Sequence, residues 1–272
     1  MFSPYYAWAG RREPEDHCAI NVALYGARSD RWAMTERGRG ALGRTTNHFT
    51  LAGSSLHWTG TELVIELDER ATPHLTPIRG TVTLTPEVLP GRQYPLDPEG
   101  RHVWRPIAPL ARVTVALGSP RTRWQGHAYL DANRGEEPLE DGFRRWDWSR
   151  LRRGDGAVVL YDAERRDGSD LRMALRFDPD GAVEDFVPPP QICLPDGFWG
   201  VRRNTRADTT NGAVIRRVLE DSPFYTREML DLRLDGTESV AIHESLDLDR
   251  FAHPVVRLML PFRMPRWTAG LP

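Results

Sequence analysis

The stretch SDLRMALRFD, residues 169–178, is the clearest indication of the fold class, because apolar and polar side chains alternate through it. Its apolar side chains would share one face of an extended strand: Leu171, Met173, Leu175 and Phe177. The same period of two recurs in TELVIELDE (61–69), GTVTLTP (80–86) and ARVTVAL (111–117). The 22 Pro and 23 Gly are spread between such runs, as turns require. The sequence therefore predicts an all-β chain of half-buried antiparallel strands, arranged as a sandwich or barrel.

Three segments depart from this alternation. GFRRWDWSRL (142–151) is predicted to form one short helix, and TTNGAVIRRVLEDSPF (209–224) fits either a short helix or a strand. The Arg-, Asp- and Gly-rich stretch SRLRRGDGA (149–157) is interpreted as a boundary between two β domains. The 272 residues suffice for one large or two smaller domains.

Composition excludes several function classes. The net charge of −2 lacks the basic excess of a nucleic-acid-binding protein. All 36 basic residues are Arg, which removes Schiff-base lysines and a P-loop lysine. The two cysteines, Cys18 and Cys193, give neither a disulfide framework nor a zinc pattern and fit a reducing compartment.

Targeting and metal signals are weak. The N-terminus lacks the features of a secretory leader, and no apolar run is long enough to span a bilayer. The segment 253–267, HPVVRLMLPFRMPRW, is interpreted as a buried terminal strand in preference to a membrane-interfacial segment.

HESLDLDRFAH (243–253) is interpreted as a solvated turn. The eight His are scattered, and a calcium loop starting at Asp131 fails because Glu136 and Gly142 occupy its key positions. No metal is therefore predicted.

Two short strands carry candidate catalytic side chains. His102 and Trp104 would share one strand face, and Tyr129 and Asp131 would share another, with Trp124 upstream. If both faces met in one cavity, burial among rings would keep a carboxyl protonated and suit acid catalysis on an apolar substrate. The alternative is an ordinary buried polar cluster, with Asp131 capping a turn that begins at Asn133 and continues to Glu140.

At these residues the chain resembles the carotenoid 1,2-hydratases, the hydroxyneurosporene synthase family. The resemblance rests on an ordered series of motifs covering more than half of the chain: FSPYYAWA (2–9), DHCAINVALYG (16–26), RWAMTERG (31–38), HVWRPIAPLARV (102–113), WQGHAYLDANRGEEPLEDGF (124–143) and WDWSR (146–150).

The resemblance implies hydration of the terminal 1,2 double bond of an acyclic carotenoid of the neurosporene or lycopene type. Protonation at C2 would give a tertiary cation at C1, which water then attacks, with no metal or redox cofactor. The match implies Asp131 as the acid, with Tyr129, His102 and Trp104 beside it, and we expect Trp124 to contact the substrate.

The resemblance also implies two lipocalin-like antiparallel β-barrels, a first domain at 1–150 that carries the site and a second at 151–272. Because family members carry sequence ahead of the stretch matching 2–9, we expect either that the start site is misplaced or that the first barrel lacks its N-terminal strands. An apolar substrate implies peripheral association with the cytoplasmic side of a membrane.

Two alternatives to a hydratase remain open. One is a non-catalytic lipocalin-like carrier of apolar isoprenoids, and the other is a polyene cyclase or isomerase on the same fold. The sequence leaves open the preferred carotenoid, hydration at one or both ends, the group that activates water and the oligomeric state.

Overall fold

The computed structural model describes residues 3–26 and 30–267, and most of them lie in β-strands. In chain order the strands are β1 (Cys18–Leu24), β2 (Arg31–Arg37), β3 (Leu42–Arg44), β4 (His48–Leu51), β5 (Ser54–Trp58), β6 (Leu63–Ala71), β7 (Thr76–Pro86), β8 (Tyr94–Pro95), β9 (His102–Ser119), β10 (Arg121–Gly135), β11 (Phe143–Arg153), β12 (Gly156–Arg165), β13 (Asp170–Phe177), β14 (Val183–Asp185), β15 (Gln191–Leu194), β16 (Arg203–Arg206), β17 (Ala213–Asp221), β18 (Tyr225–Leu234), β19 (Thr237–Asp247) and β20 (Arg266–Trp267). The α-helices are α1 (Pro4–Trp8), α2 (Leu139–Gly142), α3 (Leu248–Ala252) and α4 (Pro254–Arg263), and single 3₁₀ turns span Pro14–Asp16 and Arg39–Ala41. The prediction of a predominantly β chain is confirmed.

The chain forms two compact units, each assembled from separate stretches of sequence. The first unit comprises Met1–Pro86, Ala111–Ala128 and Arg257–Pro272, and the second comprises Glu87–Leu110 and Tyr129–Val256. Strands β9 and β10 each contribute residues to both units.

The first unit is built on antiparallel strands that follow one another in chain order. Strands β3 to β7 pair in succession, β7 pairs with β9, and β1, β2 and β20 form a smaller sheet. Alternating apolar residues form its core, including Leu67, Ile78 and Val115. Gly80 adopts φ +143° where β7 shifts register against β9, and a Cβ there would lie 2.4 Å from the Ala116 carbonyl oxygen. Only glycine fits this close backbone approach.

The second unit contains a seven-stranded antiparallel sheet in the order β14-β13-β12-β11-β19-β18-β17, with the pair β15-β16 beside it. Its core combines Leu151, Leu160 and Leu230 with other aliphatic side chains. Strand β11 lies at the centre of this sheet, between β12 and β19, so both of its edges are hydrogen-bonded.

The predicted helix at 142–151 is wrong, because this stretch forms most of β11. Trp146 and Trp148 point to one face of the strand, while Asp147, Ser149 and Leu151 point to the other and are buried. Both faces carry large or buried side chains, so the apolar pattern is not one of simple alternation. Pairing with β12 and β19 over most of its length decides the conformation.

The structure also decides the conformation of two further segments. The stretch 209–224 forms strand β17, which settles the alternative between helix and strand. The prediction of a terminal strand at 253–267 is wrong for most of its length, because α4 occupies Pro254–Arg263 and only Arg266–Trp267 form β20. Leu258, Met259 and Phe262 recur at helical spacing on α4.

Two loop predictions also change. Strand β10 continues through Asn133 to Gly135, so the turn predicted to begin at Asn133 begins after Gly135, and the residues before Glu140 lead into α2. The stretch 149–157 forms the hairpin between β11 and β12 inside the second unit. The division into domains 1–150 and 151–272 stays a prediction.

Candidate active site

The carboxyl group of Asp131 accepts two side-chain hydrogen bonds in the second unit. The Trp104 indole Nε1 donates to Oδ2 over 2.8 Å, and the Tyr129 hydroxyl donates to the same oxygen over 3.0 Å. Tyr129 and Asp131 lie two residues apart on β10, so they share a face, and Trp104 reaches them from the neighbouring strand β9. The structure therefore brings together three of the four side chains implied as catalytic.

A cavity of about 280 Å³ lies against this carboxyl group. Its lining side chains come from β10, β11, β12, β18 and β19: Tyr129, Asp131, Asn133, Trp146, Trp148, Tyr161, Arg227 and Glu244. The rings contact one another, with centroids 5.3 Å apart for Tyr129 and Trp148 and 6.2 Å apart for Trp146 and Tyr161. The site is thus an aromatic chamber with two carboxyl groups and one guanidinium.

Burial raises the pKa of Asp131 above its ordinary value, because the charged carboxylate loses its water. The hydrogen bonds from Trp104 and Tyr129 oppose this rise, since they favour the charged form. Burial and the nearby Asp131 charge raise the pKa of Tyr129, so its phenol keeps its proton and acts as a donor. The carboxyl group thus has a pKa above its ordinary value and donors that stabilise its conjugate base.

A second carboxyl group, Glu244, lies across the cavity in an ion pair with Arg227. The two Arg227 nitrogens Nε and Nη2 lie 2.9 and 2.8 Å from Glu244 Oε1. Burial raises the pKa of Glu244, Arg227 lowers it, and the charge of Asp131 raises it. The cavity therefore holds two carboxyl groups in different environments, one with neutral donors and one with a cation.

Sequence reasoning missed Glu244 and Arg227. The stretch from residue 243 was interpreted as a solvated turn, but β19 continues to Asp247 and α3 follows, so this interpretation is wrong. His243 is fully buried between Ser149 and Ser245. Alternation through Ile242, Glu244 and Leu246 was the available signal, and it would have placed Glu244 on an inward face.

The ring of His102 contacts Phe143 and Glu137, which are not among the side chains around the carboxyl group of Asp131. Its backbone N–H donates to Asp97 over 2.7 Å, and its ring packs edge-on against Phe143 with centroids 5.0 Å apart. Its Nε2 is 3.6 Å from Glu137 Oε1. A Cβ on Gly135 would lie 2.7 Å from the ring, so this glycine makes room for it. His102 is buried like Trp104 but is not among the side chains that line the cavity.

Trp124 lies in the first unit and is 50% exposed. It lines a different and much larger cavity of about 1140 Å³. The structure thus does not place it among the residues around Asp131, and its predicted contact with substrate stays a prediction.

Two further features are absent from residues 3–26 and 30–267. These residues contain no group of three or more His, Cys, Asp or Glu side chains placed to hold a metal ion. Nor do they contain a helix with the length and apolarity needed to cross a bilayer.

A predominantly β fold with a carboxyl group of raised pKa beside an aromatic cavity defines a class of site suited to acid chemistry on apolar molecules. The model of the carotenoid hydratase CrtC family matches residues 1–270, and the chain belongs to this family. Family membership makes it an enzyme of the hydratase class.

Sequence relatives agree with this assignment. The chain is 50% identical over 270 residues to an acyclic carotenoid 1,2-hydratase of Thiocapsa roseopersicina, covering 98% of this chain and 67% of that protein. It is 44% identical over 269 residues to a protein of the same name from Cereibacter sphaeroides, covering 98% of this chain and 95% of that protein. The resemblance stated from the motifs is confirmed.

A solved structure shares the fold at low identity. The AttH-type protein of Nitrosomonas europaea superposes with a TM-score of 0.59 at 14% identity, covering 84% of this chain and 79% of that chain. This similarity supports the architecture alone.

Proposed function

We propose that this chain adds water across the terminal C1=C2 double bond of an acyclic carotenoid of the neurosporene or lycopene type. The relatives named acyclic carotenoid 1,2-hydratase support the reaction. The observation that carries the mechanism is the buried Asp131 carboxyl group, held by Trp104 and Tyr129 beside an aromatic cavity.

In the first step, protonated Asp131 transfers its proton to C2 of the substrate. Both donors meet Oδ2, so the transferable proton belongs on Oδ1. As the proton leaves, charge develops on the carboxylate, and the indole and phenol donors stabilise it. Burial supplies the raised pKa that keeps the acid form available.

The resulting tertiary cation at C1 lies against aromatic faces. Trp146, Trp148 and Tyr161 line the cavity, and ring faces attract a cation most strongly where water is excluded. These rings also give a linear polyene end a matching apolar surface.

Water then attacks C1, and Glu244 accepts a hydrogen bond from it. Glu244 lines the same cavity as Asp131, and the ion pair with Arg227 favours its charged form against the effect of burial. The attacking water releases a proton to the carboxylate of Glu244 or of Asp131. The cycle is complete when this proton has returned to Asp131. Water addition changes no net oxidation state of the substrate, so these steps need no redox cofactor.

The role of His102 in this proposal is indirect. Its ring packs on Phe143, whose ring contacts Trp146 with centroids 6.5 Å apart. We therefore assign His102 to positioning one wall of the cavity, while Asp131, Tyr129 and Trp104 handle the proton.

The direct test is the product formed from lycopene by the purified chain in oxygen-labelled water. The proposal predicts a product heavier by one labelled water molecule, with the hydroxyl at C1. A non-catalytic carrier, which the large apolar cavity of the first unit favours as a second candidate, would return lycopene unchanged. A cyclase or isomerase would give a product of unchanged mass.

We further propose peripheral association with the cytoplasmic side of a membrane, where such substrates dissolve. Support comes from α4, on which Leu258 and Phe262 are 64% and 83% exposed and Met259 is also exposed. Exposed apolar residues at helical spacing, followed by Arg263, are typical of interfacial helices.

The two units are also proposed to correspond to two lipocalin-like barrels. The consecutive antiparallel order of β3 to β7 and of β11 to β14 supports this proposal. Closed barrels lack free edges, so slow amide exchange along β3 and β17 would support closure, and fast exchange there would contradict it.

A further inference from the structure

The first unit contains a cavity of about 1140 Å³ that the proposed chemistry at Asp131 does not use. Apolar side chains of β1 form one wall, and β6, β7 and β9 form the other: Ile20, Val22, Leu24, Ile65, Val82 and Leu117. Most of these side chains are only half-buried although they face the core of the unit. A folded core is close-packed, so unfilled apolar space of this size indicates a ligand site.

The chemistry of the lining excludes most polar ligands. Among the described residues that line the cavity there is no carboxylate, and the only guanidinium is that of Arg121, which is exposed. Asn21 is exposed, and its amide nitrogen donates to the Ala33 carbonyl oxygen over 3.3 Å. A ligand in the interior would therefore contact mainly apolar side chains, which favour an uncharged hydrocarbon chain.

The volume indicates a long molecule. The volume of about 1140 Å³ exceeds the roughly 300–1,000 Å³ of pockets that hold drug-sized ligands. Such a cavity is too large for a monoterpene-sized ligand or one short fatty-acyl chain and matches an extended polyisoprenoid.

Trp124 lies at the exposed end of this cavity, near Arg121 and Thr122. Its indole packs over Gly126, where a Cβ would lie 3.0 Å from the ring. This glycine lets the ring fold back along the strand, with half of its surface exposed. A flat aromatic face at the mouth of an apolar cavity suits stacking on a conjugated chain.

We propose that this cavity is a second binding site, which holds the hydrocarbon chain of an uncharged polyisoprenoid, with Trp124 packed on it at the mouth. The choice of an isoprenoid rests on the proposed function; the site itself rests on the cavity and its lining. Asp131, Tyr129 and Trp104 are not part of it.

The test measures lycopene binding without turnover, in the Asp131→Asn background, by co-elution of the pigment with the protein from detergent. Adding Val82→Trp fills the cavity, and we expect the dissociation constant to rise at least about tenfold. The matched control is Val218→Trp, an exposed valine of β17, which should bind as the parent does. Leu24→Trp, on the opposite wall, repeats the test if Val82→Trp fails to fold.

Ligand competition identifies the chemical class. Squalane, a saturated uncharged isoprenoid that cannot be hydrated, should displace lycopene, whereas palmitate should not. Unchanged lycopene binding in both folded tryptophan variants would overturn the proposal, and so would displacement by palmitate but not squalane. Neither result bears on hydration, which is judged from the wild-type product.

Discussion

The indole Nε1 of Trp104 donates a 2.8 Å hydrogen bond to the Asp131 carboxyl group. Trp104 is almost wholly buried and comes from β9, the strand next to β10. Burial raises the pKa of Asp131, and this hydrogen bond opposes the rise because it stabilises the carboxylate that forms when the proton leaves. The carboxyl group therefore combines a raised pKa with a stabilised conjugate base, as proton donation requires.

The Tyr129→Phe variant tests the pH dependence. The hydroxyl favours the carboxylate form of Asp131, so removing it should raise the pKa of that group further. Activity requires protonated Asp131 and is lost as pH rises through its pKa, so the alkaline limb should move up by about one pH unit. The measurement is the pH profile of kcat/KM on lycopene. Tyr6→Phe, a phenol beside His17 in the first unit, is the control, and an unmoved limb in Tyr129→Phe would count against the assignment.

The Glu244→Gln variant separates water capture from protonation. Asp131 can still protonate C2, so recovered substrate or its double-bond isomers should gain deuterium in heavy water. The hydrated product should fall by roughly 10²-fold. The control is Glu238→Gln, an exposed position on the same strand. Equal loss of deuterium incorporation and hydration would mean that Glu244 does not act after protonation.

Asp147 predicts a pH dependence of stability. Burial raises its pKa to about 6, against hydrogen bonds from Ser245 over 2.5 Å and from the Asn204 N–H over 3.2 Å. The folded state therefore binds this proton more tightly than the unfolded chain does. The unfolding free energy should decrease as the pH rises from about 4 to about 6, by up to ~3 kcal/mol.

The Asp147→Asn variant should lose this part of the pH dependence. Urea unfolding at several pH values measures it, with Asp155→Asn, an exposed aspartate in the hairpin that follows β11, as the control. A variant whose pH dependence equals that of the wild type would show that Asp147 is ionised in the folded protein across this range.

The exposed apolar residues of α4 lead us to expect affinity for membranes. Replacing Leu258 and Phe262 together by Ser removes two large exposed apolar side chains, each worth roughly 1.5–3 kcal/mol when fully buried. Co-sedimentation with anionic vesicles should weaken at least about tenfold. Val218→Ser, exposed on β17, should leave it unchanged, and equal binding by all three proteins would exclude α4 as the contact.

The site could be predicted from sequence as far as local strand geometry determines it. Tyr129 and Asp131 share a face because they are two residues apart, and Trp104 lies on the adjacent strand. His102 shares the buried face with Trp104, but it stands at the strand end, where Phe143 and Glu137 surround its ring. Spacing alone cannot tell these two environments apart.

Pairing between strands that are distant in sequence explains which features could not be predicted from the sequence. Glu244 reaches the cavity because β19 pairs with β11, with Trp148 opposite Glu244 in the register. No local pattern links residues almost a hundred positions apart. The same pairing makes 142–151 a strand, although its aromatic and basic residues suggested a helix.

The most direct test of the central claim is the Asp131→Asn variant, assayed for hydration of lycopene beside Asp180→Asn, an exposed control. Asn cannot donate the proton, so the account predicts a loss of at least about 10²-fold in kcat, with thermal unfolding close to that of the wild type and no deuterium incorporated into substrate. A folded Asp131→Asn variant that hydrates lycopene at nearly the wild-type rate would contradict the account.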